Sequence, residues 1–236
     1  MVHTINLSER LQQAASYLSK GARFADIGSD HAYLPCYVCQ HDPEAAAIAG
    51  EVSKGPYESA ARTVASCGLD DRIQVRLGDG LTVLKPGEAE EVVIAGMGGT
   101  LIASILERGK DRLGSVQRII AQPNVDARSV RRWLQKNGYR IVAETIMEEK
   151  GHIYEMMAAN KSEEMVDLTE REALFGPYLL QERSAAFFNK WASEQMKLER
   201  VLSQMKQATE QNEEKKAQFL RELDWIKEVL SHGDTC

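Results

Sequence analysis

Between residues 23 and 160, short apolar runs alternate with amphipathic segments, and four successive runs end on glycine or a carboxylate. No other feature constrains the fold as much. Strand followed by helix, repeated, packs stably as a largely parallel sheet with helices on both faces. The spacing predicts strands at 23–27, 45–51, 73–77, 92–95 and 118–121, the last ended by Gln122 and Pro123. Helices fall at 7–18 (Leu7, Leu11, Ala14, Ala15 and Leu18 on one side, Ser8 as cap), 33–40, 56–67 before Gly68, 101–107, and 125–137 before Gly138. Runs at 139–146 and 152–158, separated by a Glu/Lys/Gly turn, read as a hairpin that adds an antiparallel edge.

The chain changes character near residue 160. Residues 161–236 hold only two Gly and one Pro and read as almost pure helix. One apolar pattern runs through Phe187, Trp191, Leu198, Val201, Leu202, Met205 and Ala208. A second runs through Phe219, Leu223, Ile226 and Leu230, at spacings of four, three and four. The polar stretch 209–216 lies between them, so the tail is expected to be an antiparallel coiled-coil hairpin. Two domains follow, 1–160 and 161–236.

The strand ends carry the chemistry. In such sheets ligands bind beyond the carboxyl ends of the strands, where strand order reverses. Phe24-Ala-Asp-Ile-Gly-Ser-Asp30 takes the first strand directly into a turn at Gly28, without a full GxGxxG. Glu51 closes the second strand, placed to accept hydrogen bonds from a ribose. Asp79 and Gly80 follow the third, and Gly96-Met97-Gly98-Gly99 the fourth. Each position alone suits an ordinary turn; together on one rim they point to a nucleoside site.

The segments FADIGSDHAYLP at 24–35, EVSKGPYESA at 51–60, GDGL at 78–81, IAGMGGTLI at 94–102 and QPN at 122–124 resemble the bacterial tRNA (adenine-N1)-methyltransferases that act on the adenosine at position twenty-two. The resemblance extends to GHIYE at 151–155 and to the helical tail. It implies a Rossmann-like class I S-adenosylmethionine-dependent methyltransferase domain carrying a coiled-coil hairpin. It further implies that Asp26, Gly28 and Asp30 form the first cofactor loop, that Glu51 holds the cofactor ribose, that Asp79 and Gly80 flank its adenine, and that Gly96, Met97 and Gly98 wall the methyl-donor end.

A sulfonium donor is already activated, so the protein's task is to align adenine N1 with the methyl group and to tolerate the positive charge that forms on the base. Asp30, just past the glycine turn, is the leading candidate for that charge; a turn role competes. His31 is an alternative base or a substrate contact. Asn124 is placed to meet the base edge, or to cap the following helix. Residues 111–140 carry seven basic against two acidic residues in a chain of net charge -6. Within that window Arg128, Arg131 and Arg132 are spaced to share one helix face and to grip tRNA phosphates. Lys190, Lys197, Arg200, Lys206, Lys215 and Lys216 offer a second basic stripe on the tail.

Cys36 and Cys39 form a CxxC without a second close pair, which favours buried thiols over a metal site, and no metal is expected. No run of eighteen apolar residues and no basic-then-apolar leader is present, so a cytoplasmic protein without a membrane partner is expected. Oligomeric state is left open. A small-molecule methyltransferase would need a closed lid in place of an open basic rim, and a non-catalytic RNA-binding module would lack the cofactor rim.

Overall fold

The computed structural model describes residues 4–164, 167–205 and 213–231. Ala208, Lys206, the 209–212 part of the polar turn and Cys236 lie outside the described residues.

Arg23–Ile27 (β1), Ala46–Glu51 (β2), Ile73–Leu77 (β3), Glu91–Gly98 (β4), Arg118–Val125 (β5), Tyr139–Glu149 (β6) and His152–Lys161 (β7) form one sheet of order β3-β2-β1-β4-β5-β7-β6. Strands β1 to β5 pair in parallel, and β7 runs antiparallel between β5 and β6. Strand order reverses between β1 and β4, which opens the crevice at the carboxyl ends of those two strands.

Both sheet faces are buried, and period-two alternation decides which residue faces which layer. Val92, Ile94, Ile119 and Ala121 face the layer of Gly99–Arg108 (α4) and Ala127–Lys136 (α5). Phe24, Val93 and Ile120 face Glu9–Ser16 (α1), Tyr33–His41 (α2) and Lys54–Cys67 (α3). Ser8 caps α1 through its side chain, and Gly68 ends α3 at φ +64, as the sequence predicts. Cys36 and Cys39 are buried in α2; burial pushes the Cys36 thiol up and Cys39 up to about 11, so neither is poised as a thiolate.

Several boundaries differ from expectation, and two of them bear on the site. Strand β5 continues through Gln122 and Pro123 to Val125, because Pro123 lies opposite an irregularity in β4 where no ladder hydrogen bond is needed. The following helix therefore starts at Ala127, and its cap is Asp126, whose side chain accepts from Ser129 N.

The tail is helical: Glu170–Phe175 (α6), Leu179–Glu182 (α7), Ala185–Met205 (α8) and Glu213–Ser231 (α9). Helices α8 and α9 pack along each other as a hairpin, with Lys227 Nζ 3.3 Å from Glu199. Their buried seam is Phe187, Trp191, Leu202, Leu223, Ile226 and Val229, with Val229 taking the fully buried place expected of Leu230. Ile146 of β6 joins Phe175, Phe187 and Trp191 in one core, so the tail is packed onto the sheet. No helix among the described residues is long and apolar enough to cross a membrane.

Candidate active site

The loop after β1 is held in an unusual conformation. Gly28 has φ +72, and Asp30, His31 and Ala32 all have positive φ, at 42°, 73° and 58°. Non-glycine residues there cost roughly 1–2 kcal/mol each, and such strain concentrates at functional loops. A Cβ on Gly28 would displace the Met97 methyl group, and the positive φ disfavours any side chain there, so glycine suits this turn. Below the loop, Asp26 is buried and accepts from Ser29 Oγ at 2.6 Å. Burial pushes its carboxyl up to about 7, and nearby Glu51 adds to the effect.

Glu51 sits where the ribose-holding carboxylate is expected. It is 5% exposed, its Oε1 has no hydrogen-bond partner, and burial raises its pKa against a bond from the Asp30 backbone N–H. An orphaned carboxylate oxygen beside a glycine turn fits a ligand that brings hydroxyl donors. Val52, next in sequence, is 67% exposed, and Leu77 ends β3 at 54%, which leaves apolar cover for a purine. Asp79 is on the same rim, but its carboxylate is engaged by Arg108 Nη1 at 2.9 Å. Gly80 (φ +55) brings the following 3-10 turn against Ile105.

The end of β4 is a bulge. Gly96, at φ +79, leaves the ladder with β5. Two side-chain amides replace the missing partners. Gly96 N–H donates to Gln122 Oε1 at 3.0 Å, and Gly96 C=O accepts from Asn124 Nδ2 at 2.8 Å. Gln122 Nε2 donates to Asn124 Oδ1 at 3.1 Å, which fixes both amides in one orientation. The Gln-Pro-Asn triplet thus clamps the Gly-Met-Gly-Gly turn. Asn124 is exposed at the rim as expected, but much of its amide is engaged in the clamp. Gly99 has a backbone reason too: a Cβ there would strike the Asp126 carbonyl.

Asp30 projects into solvent, its side chain 83% exposed, with Oδ1 3.4 Å from His31 Nε2. His31 is fixed by Ser59 Oγ at 2.6 Å and stacks on Tyr33. The basic window does not form one open face. Arg131 is 0% exposed and locked by Glu144 at 2.7 Å and Glu155 at 2.5 Å. That corrects its assignment to tRNA phosphates: a guanidinium sealed against two carboxylates is structural. Arg128 pairs with Glu222 at 2.7 Å, and Arg132 with Glu170 at 2.5 Å, so both lean towards the tail while staying partly accessible. Lys190 is likewise removed from the basic stripe of the tail, paired with Glu155. Sequence inspection missed Arg10 of α1, which donates to Gln122 Oε1 and lies 5.2 Å over the Tyr154 ring. The only hint of it was the GHIYE segment.

A family model described as tRNA (adenine(22)-N(1))-methyltransferase matches residues 24–228. The chain belongs to that family. The tRNA (adenine(22)-N(1))-methyltransferase of Bacillus subtilis (strain 168) is 45% identical over 238 residues, spanning 98% of this chain and 100% of that protein. The crystal structure of the B. subtilis m1A22 tRNA methyltransferase superposes with a TM-score of 0.89 at 44% identity, covering 96% of this chain and 99% of that one. An M. capricolum relative, solved with the natural cofactor product S-adenosyl-homocysteine, reaches 0.83 at 28% identity, covering 95% and 98%.

Proposed function

We propose that this chain transfers a methyl group from S-adenosylmethionine to N1 of the adenosine at position twenty-two of tRNA. The observation that carries this is Glu51: a buried carboxylate oxygen without a partner, at the end of β2, beside the left-handed loop of β1, in a chain of this family. Bound there, S-adenosylmethionine supplies a methyl group on a sulfonium, electrophilic without further activation.

The chain's own residues do the rest. Glu51 accepts from the ribose hydroxyls. Asp26 and Gly28 shape the floor under the amino-acid arm, and Asp79 with Gly80 borders the purine beside Val52. Gly96, Met97 and Gly98, stiffened by Gln122 and Asn124, wall the transfer zone. Asp30 offers a solvated carboxylate to the positive charge that grows on adenine, and His31 borders the base. N1 lies on the Watson–Crick edge, so the nucleotide must leave any pair before it reaches this crevice. Arg128 and Arg132 lie on the approach, and the tail, 161–236, is a second unit that helps seat the tRNA. Such work belongs in the cytoplasm.

Labelled S-adenosylmethionine with a tRNA transcript, followed by nucleoside mapping, tests the proposal. Label at N1 of adenosine twenty-two, absent when that base is guanosine, is the expected result. Label elsewhere, or none in a chain that binds the donor, would overturn it.

A further inference from the structure

We propose that Arg10 is an oxyanion-binding residue at the mouth of the active site, held ready by Gln122 and Tyr154. The inference rests on the methyltransferase function above and assigns it one more residue, outside the 24–228 span that the family model matches.

The case begins with charge. The other arginines near this rim and its helices are neutralised: Arg108 by Asp79, Arg128 by Glu222, Arg131 by Glu144 and Glu155, Arg132 by Glu170. Arg10 is half-buried, and its contacts are the neutral Gln122 Oε1 and the face of the Tyr154 ring. Among the described residues no carboxylate lies within ion-pair distance of it. Taking a guanidinium partly out of water without a counter-charge is unfavourable unless an anion arrives.

Geometry gives the anion its place. Gln122 is completely buried, and its Oε1 also accepts from Gly96 N–H, so one side-chain oxygen ties Arg10 to the bulge at the methyl-donor end. A Cβ built on Gly96 would lie 3.9 Å from Arg10 Nη1. The Tyr154 ring covers the guanidinium without consuming its remaining N–H groups. Helix α1 is itself pinned to the rim, with Glu9 N–H donating to Glu149 Oε1 at 2.7 Å at the end of β6. An oxyanion entering between α1 and Gly96 therefore meets a pre-oriented donor fork. Two oxyanions come to this mouth in the reaction, the carboxylate of the donor's amino-acid arm and a phosphate beside the target adenosine. The chemistry is shared.

The test compares full-length Arg10→Gln, Arg10→Lys and Arg10→Met with wild type. Calorimetry measures S-adenosyl-homocysteine and 5′-methylthioadenosine, which lacks the amino-acid arm; fluorescence anisotropy measures tRNA over a salt series. If the anion is the carboxylate, Arg10→Gln weakens S-adenosyl-homocysteine by about tenfold and leaves methylthioadenosine within about twofold. If it is the phosphate, both small ligands bind as before, tRNA weakens by about tenfold, and the salt slope falls by about one. Arg10→Lys recovers part of either loss and Arg10→Met none, a difference that packing against Tyr154 alone would not produce. Arg10→Gln with wild-type affinity for both S-adenosyl-homocysteine and tRNA overturns the proposal. Should Arg10→Gln be poorly folded, equal binding by Arg10→Lys and Arg10→Met overturns it equally. A wild-type chain that binds both ligands yet modifies no adenosine would sink the enzymatic function and leave the Arg10 site standing.

Discussion

At the scale of single residues, three carboxylates within one crevice differ chiefly through burial. Glu51 is buried with an oxygen unsatisfied, which destabilises the ligand-free chain and favours a hydroxyl-bearing ligand. Glu51→Ala should weaken donor binding by about 1.5–3 kcal/mol while leaving the unliganded fold as stable or more so. Calorimetric titration with unchanged affinity would remove Glu51 from the site. Asp26, pushed up to about 7, holds its proton in the folded chain after the unfolded chain has lost it near the ordinary carboxylate value of 3.8. Stability contributed by that proton is complete below about pH 4 and is lost as pH rises through about 7. Asp26→Asn should flatten this fall, by at most roughly 3 kcal/mol between about pH 5 and pH 8. Urea midpoints with the same pH dependence as wild type would exclude Asp26 as its source. Asp30 differs again, since its side chain is solvated while its backbone N–H serves Glu51. Asp30→Asn keeps that N–H, so donor binding should persist while single-turnover transfer falls at least about tenfold. Transfer at the wild-type rate would reduce Asp30 to a loop residue.

At the scale of elements, helix α5 shows why spacing alone misassigned a cation. Arg128, Arg131 and Arg132 are close enough in register to look like one face, yet α5 has the sheet on one side and α6 on another. Arg131 points into that junction. Its Nη1 donates to the carbonyls of Ala173 and Leu174 at 3.2 Å each, while Tyr178 N–H donates to Glu144 Oε2 at 3.0 Å. Gly176, at φ +92, is obligatory because a Cβ would sit 2.7 Å from both Arg131 and Glu144. Arg131→Met should cost about 3–5 kcal/mol, because the buried carboxylates of Glu144 and Glu155 would lose the guanidinium that satisfies them. A denaturation midpoint within experimental error of wild type would refute this. Charge reversal at Arg131 would therefore report on folding, and the proposed tRNA role of α5 is better tested through Arg128 and Arg132.

At the scale of the molecule, the tail and the sheet share one core. Ile146, Phe175, Phe187 and Trp191 meet there, and Lys190 of α8 reaches Glu155 of β7. The two parts should consequently melt together. Far-ultraviolet dichroism and tryptophan fluorescence should give coincident transitions, and Trp191→Ala should lower both by about 3–5 kcal/mol. Two resolved transitions would mean that the hairpin is an independent unit. The same connection joins distant tasks: consecutive residues Tyr154 and Glu155 face opposite sides of β7, one towards Arg10 at the mouth, the other towards Arg131 and the base of the hairpin.

The sequence alone determined the strand–helix alternation, the hairpin of the tail and the rim of Gly28, Glu51, Gly80 and Gly96. These follow from local periodicity and from backbone conformations that glycine adopts freely, which neighbouring residues already encode. Tertiary structure decided what long polar side chains do. Arg131 and Arg10 have the same functional group, and in the sequence Arg131, within a basic cluster, looked the better ligand. Only packing seals the first between two carboxylates and leaves the second half-buried beside neutral partners. A charge acquires its role from what surrounds it in space, and those surroundings come from other segments, 13 to 43 residues away for Arg131 and 112 for the Gln122 partner of Arg10.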